Sequence, residues 1–138
     1  MIHIFDCDGV ITDTNHLKTE AFEHTAKKYL NKKAYDKLIE YHKINGGVSR
    51  WKKFNYVIES LNIKDCTVDI LCDEYANYVE SKIYKCNLVK GIKEYIKKIN
   101  EDYIKDLIYV ASGGEENQVK RLLNYHKLEI DPRKIYGS

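Results

Sequence analysis

The chain has 138 residues, of which 43% are hydrophobic and 32% charged, with seven glycines and one proline. That composition suits a compact domain and excludes disordered or collagen-like chains. Its 23 cationic and 21 acidic side chains nearly cancel, so charge gives no reason to expect a nucleic-acid partner.

No apolar run approaches the length needed to span a bilayer, and no signal-like segment opens the sequence. A cytoplasmic protein without a membrane partner is expected. Cys7, Cys66, Cys72 and Cys86 show no CxxC pair or zinc-ligand spacing. They read as reduced, mostly buried thiols.

In chain order, residues 2–5 form a short apolar run that stops at Asp6, Cys7, Asp8 and Gly9. This predicts a buried strand delivering polar groups at its C-terminal end. Four amphipathic helices follow, over 15–30, 34–44, 49–61 and 67–84, with inward faces that include Leu17 and Phe22, Leu38 and Ile39, Trp51 and Phe54, and Ile70 and Leu71. Asn45, Gly46 and Gly47 break the second helix, and Ser49 caps the third. Tyr75, Tyr78, Tyr84 and Tyr95 keep helical spacing and read as packing residues. Helix and strand then alternate: a helix over 91–100, a buried strand over 107–111, a helix over 115–125 and a short strand over 134–136. The fold class is α/β, with residues 1–14 and 87–138 as its core and 15–86 as a four-helix insert.

Two aspartates separated by one residue, at a strand end and before a glycine, are the most informative local feature. Once the chain turns, the two carboxylates can diverge, one as nucleophile and metal ligand, the other as a proton carrier. The alternative is a strand terminus at Asp6 and an Asx turn at Asp8. Ser112, Gly113 and Gly114 follow the second strand. Their hydroxyl and amides either cradle an anion near a helix start or form an ordinary turn. Glu115 and Glu116 read as helix-start charges.

The string FDCDGVITDT, residues 5–14, resembles the first motif of the haloacid dehalogenase-like superfamily, most of whose members are phosphatases or phosphotransferases. The resemblance implies a partial Rossmann-like core with a parallel sheet and an inserted helical cap. It assigns Asp6 as the nucleophile that becomes a phosphoaspartate and Asp8 as general acid and base. Mg2+ would be held by Asp6 and by the backbone carbonyl of Asp8. An acid at position 8 favours phosphate esters over carbon–halogen or Schiff-base chemistry. Ser112 corresponds to the second motif, with Gly113 and Gly114 beside it for phosphoryl oxygens.

The cap segment NGGVSRWKKF, residues 45–54, resembles the substrate-specificity loop of the phosphoglycolate phosphatase and β-phosphoglucomutase branches. It implies substrate contacts from Gly47, Arg50 and Lys53, while His42 reads as a structural histidine. Lys18 stands where the mutases place a histidine, which disfavours mutase chemistry. Residues 12–15 and 86–90 would be the hinges.

The superfamily's Lys motif and its second acidic pair are not recognisable, and Lys134 falls at the wrong end of its strand. The resemblance therefore predicts a chain truncated at its C-terminal side, with the Asp6 strand at a sheet edge open to self-association. The leading expectation is a Mg2+-dependent phosphatase for a small phosphorylated metabolite. Its alternatives are a non-catalytic chain that binds a ligand or partner, and a phosphomutase.

Overall fold

A computed structural model describes residues 1–102 and 107–138. The strands are β1 (Ile2–Asp6), β2 (Leu107–Ala111) and β3 (Ile135–Tyr136). The helices are α1 (Asn15–Tyr29), α2 (Lys32–Ile44), α3 (Arg50–Ser60), α4 (Val68–Lys82), α5 (Ile92–Asp102) and α6 (Glu116–Tyr125), with single 3-10 turns at Ile83–Lys85 and Pro132–Lys134. The chain divides into two compact units, residues 16–82 and residues 1–15 with 83–138.

In the α/β unit the strands are parallel in the order β1-β2-β3, with Asp6 beside Ala111 and Ala111 beside Tyr136. Parallel neighbours need crossovers, and α5 leads into β2 while α6 joins β2 to β3. Because both steps run the same way across the sheet and crossovers are right-handed, both helices fall on one face. There Ile92, Ile96 and Ile99 of α5 and Val119 and Leu123 of α6 pack with Ile108 and Val110 of β2 in one buried cluster. Burying side chains of this kind stabilises by about 1.5–3 kcal/mol each.

The other face explains a departure from expectation. β1 is not a buried strand, since Ile2 is 62% and Ile4 70% exposed. Alternate residues share a face, and β1 turns His3 and Phe5 to the covered side while Ile2 and Ile4 align with Leu107 and Tyr109 on the open side. Tyr95, read as a packing residue, is half exposed and meets Phe5 only edge-on, at 6.2 Å between centroids. β1 lies at the sheet edge.

The helical unit buries Ala21 and Phe22 of α1, Ala34 and Leu38 of α2, Phe54 and Val57 of α3, and Leu71, Tyr75 and Val79 of α4. Its helix starts are chemically marked. Asn31 accepts from the Ala34 amide at 2.9 Å, Ser49 from Lys52 at 3.4 Å and Thr67 from Ile70 at 3.3 Å. Trp51 and Ile70, expected inward, are exposed. On α3 the inward stripe is instead Lys53, Phe54 and Val57, so the buried position falls to a lysine.

All four cysteines are free thiols, Cys7 and Cys66 buried, Cys72 and Cys86 partly so. Among the described residues no helix is long and apolar enough to cross a membrane.

Candidate active site

β1 ends at Asp6 and the chain turns at once. The Cys7 carbonyl accepts from the amides of Ile11 and Thr12 at 2.9 and 3.0 Å, and the Gly9 amide donates to the Thr12 carbonyl at 2.7 Å. Gly9 takes φ +80°, and a Cβ there would come within 2.3 Å of the Asn15 side-chain nitrogen. A left-handed turn against a close neighbour selects glycine. Beyond it, the Asp13 amide donates to the Asn87 carbonyl at 2.9 Å and the Val89 amide to the Ile11 carbonyl at 2.9 Å. The two segments expected as hinges are thus paired through these bonds.

The turn separates the two carboxylates. Asp6 remains exposed, with one oxygen accepting from the Cys7 amide at 2.7 Å. Asp8 turns inward, and the buried Thr14 hydroxyl donates to it. With that proton committed, Thr12 donates across the 3.0 Å contact to Thr14, forming a line of hydroxyls that ends on Asp8. Thr12 also lies 3.3 Å from the Cys7 carbonyl and 3.6 Å from the Cys7 sulfur. Thr12 and Thr14 are fully buried. The two-aspartate motif does not mark them, and the string TDT behind the aspartates is the signal that points to them.

Ser112 leaves β2 one residue past Ala111, the register partner of Asp6, so it stands at the same C-terminal end of the sheet. Its amide donates to the Tyr136 carbonyl at 2.9 Å. The Ser112 hydroxyl oxygen accepts from the Gly114 amide at 3.0 Å, so that N–H closes a local turn. Gly113 is exposed, and its carbonyl accepts from the Ser138 hydroxyl at 3.2 Å. Glu115 caps α6, accepting from Asn117 and Gln118 at 2.9 and 2.7 Å. Glu116 pairs with Lys120 and receives the Gly137 amide at 3.3 Å, which holds its carboxyl below the usual range. Both glutamates serve the helix start. Lys134 enters β3 from the opposite end and lies 5.7 Å over the Tyr109 ring.

Asp6 and Asp8 offer oxygen donors, the set a hard divalent cation takes. Among the described residues no group of three or more His, Cys, Asp or Glu is gathered for a metal. Two carboxylates are a donor set that would suit Mg2+, an ion commonly held by one or two carboxylates with water and phosphate oxygens completing its shell.

The remaining candidates lie in the helical unit. Gly46 and Gly47 have open space where a Cβ would stand, so backbone access there is free. Arg50 sets its guanidinium 5.3 Å from the Tyr75 ring centroid, with one terminal nitrogen buried and, among the described residues, without a hydrogen-bond partner. Lys53 is 2% exposed. Its ammonium donates to His42 Nδ1 at 2.9 Å and to the Gly46 carbonyl at 3.3 Å, and lies 5.2 Å from the Phe22 ring centroid. Burial pushes the Lys53 pKa down to about 8. Burial first, then the charges of Lys53 and Lys43, push His42 down to about 4. His42 is therefore neutral at pH 7, and its role as a partner of Lys53 was not legible in its apolar sequence neighbourhood.

A sequence model of the haloacid dehalogenase-like hydrolases matches residues 3–138. No curated relative matches the sequence at significant similarity. Among solved structures, the fold is similar to that of a predicted phosphatase from Clostridium acetobutylicum, at TM-score 0.72 and 21% identity over 99% of this chain and 60% of that one. A HAD hydrolase, family IA, variant 3, from Entamoeba histolytica gives TM-score 0.71 at 16% identity, covering all of this chain and 61% of that one. A hydrolase from Pseudomonas syringae gives 0.69 at 18%, over 99% and 60%. The chain spans about 60% of the length of these structures.

Proposed function

Because the chain belongs to the haloacid dehalogenase-like hydrolases, we propose that it carries the nucleophile-bearing part of a Mg2+-dependent phosphatase for a small phosphomonoester. The observation that supports this most is the divergence of two carboxylates on one turn, Asp6 exposed and Asp8 tethered by Thr14, beside the Ser112 end of β2.

A carboxylate oxygen of Asp6 forms a bond to phosphorus while the bond to the alkoxide breaks. Asp8 gives that alkoxide its proton, then takes a proton from the water that cleaves the phosphoaspartate. The Ser112 hydroxyl retains its own proton to donate to a phosphoryl oxygen, because towards Gly114 it is the acceptor. The Asp6 carboxylate and the Asp8 carbonyl would hold Mg2+, which when bound offsets the repulsion between Asp6 and an anionic substrate. Gly47, Arg50 and Lys53 of the helical unit are the substrate-selecting residues. Four cysteines without a disulfide support a reducing compartment, the cytoplasm.

Release of phosphate from p-nitrophenyl phosphate is expected to require Mg2+, and Asp6→Asn to lower it by about a thousandfold or more. Activity that needs no Mg2+ and survives Asp6→Asn overturns the mechanism.

A second reading has its own support: β1 is an edge strand with Ile2 and Ile4 exposed, a surface suited to pairing with a second copy. Light scattering should then show association that rises with concentration and is suppressed by Ile4→Lys. A monomer at every concentration excludes this reading.

A further inference from the structure

Lys53 and Arg50 stand three residues apart on α3, hence on one face, and neither makes an ion pair with a described carboxylate. Each lies over an aromatic ring, Lys53 over Phe22 and Arg50 over Tyr75, and those two rings touch at 4.6 Å between centroids. A buried cation without an acid is costly unless other groups hold it or an anion joins it. Among the described residues two hydrogen bonds serve the three ammonium hydrogens of Lys53, and one Arg50 nitrogen has no hydrogen-bond partner.

His42 determines where the Lys53 ammonium sits. An ammonium can only donate, so His42 Nδ1 accepts and the ring proton must be on Nε2. Nε2 lies 2.9 Å from the Thr19 hydroxyl, which accepts it. The Phe22 ring, 4.5 Å away between centroids, fixes the plane of the imidazole.

We propose that His42 and Thr19 are positioning residues that hold Lys53 as the second arm, beside Arg50, of an oxyanion receptor in the helical unit. The ligand class is a doubly charged oxyanion. In naming it as a non-reacting phosphate or carboxylate of the substrate, the inference rests on the phosphatase reading above. The groups bearing on the pair are Lys43 from α2, Arg50 from α3, Thr19 and Phe22 from α1, and Tyr75 from α4 through its contact with Phe22. Above about pH 8 Lys53 loses its charge, so anion affinity should fall as pH rises through that value.

Sulfate is a suitable probe because it stays dianionic and is not hydrolysed. Calorimetric titration of the full chain near neutral pH should show Lys53→Met and His42→Phe weakening sulfate about tenfold. His42→Asn, which keeps an acceptor near the Nδ1 position, should recover much of the loss. Affinity of the unaltered chain should drop on going well above pH 8, and that of Lys53→Met should not. Nitrogen NMR of the unaltered chain should show His42 neutral with the proton on Nε2, a readout that needs no variant to fold. Sulfate binding indifferent to Lys53→Met, or a His42 proton on Nδ1, overturns the inference. Turnover with Lys53-independent sulfate binding removes the inference and leaves the phosphatase reading. Lys53-dependent binding without turnover does the reverse.

Discussion

The two units solve opposite electrostatic problems by opposite means. In the α/β unit the acids stand at a strand end, Asp6 exposed and Asp8 half-buried, and hydroxyls from the next six residues of chain hold Asp8. In the helical unit the cations of α3 are drawn inward against aromatic rings, and Lys53 is held by a histidine from another helix. An exposed carboxylate keeps most of its hydration and needs only local geometry to be aimed. A buried ammonium loses its hydration and must be given partners from across the tertiary structure. The acidic site is thus fixed by a short loop, and the cationic one by the packing of α1, α2 and α3.

If local geometry aims Asp8, breaking one hydroxyl contact should hurt turnover without unfolding the chain. Thr14→Val keeps the buried volume and removes the donor to Asp8. It should lower kcat for p-nitrophenyl phosphate roughly tenfold to a hundredfold, while Thr14→Ser retains most activity. Equal losses in both variants would show that Thr14 acts through packing alone.

A smaller effect is expected at Gly9, where the turn demands φ +80°. Gly9→Ala should cost about 1–2 kcal/mol of stability, read from denaturant midpoints. An unchanged midpoint would mean that the turn relaxes, and Asp8 would then lose its fixed place.

The same contrast governs what could be read from sequence. β2 at Leu107–Ala111 matches the expected strand, and Asp6 and Ser112 fall at one end of a parallel sheet as their motifs imply. These are properties of short runs and of crossover topology. Burial of β1 is not legible in its apolar composition, which is local, whereas whether Ile2 and Ile4 are covered depends on elements from elsewhere, and both crossovers lie on the other face. A Ser-Gly-Gly string does not reveal which of its donors closes the turn, and here the Gly114 amide does so. His42 and Lys53 are eleven residues apart on different helices. No helical or strand period links such a pair, so only packing could bring it together.

The last expected effect is on stability against pH, and it isolates the cationic pair. His42 has a folded pKa near 4 against an ordinary 6.5. Between those values the unfolded chain binds a proton that the folded chain refuses, so stability is fully present above about pH 6.5 and is lost as pH falls toward 4. Lys53 has a folded pKa near 8 against 10.5. Its burial penalty is fully present below pH 8, and stability rises between about 8 and 10.5 as the folded chain releases the proton first. Denaturant midpoints across pH should therefore show a rise in each window, with His42→Asn flattening the acidic one and Lys53→Met the alkaline one. Sulfate, by favouring charged Lys53, should shift the alkaline rise to higher pH. An alkaline rise that persists in Lys53→Met belongs to another group and would leave Lys53 with no measurable burial penalty.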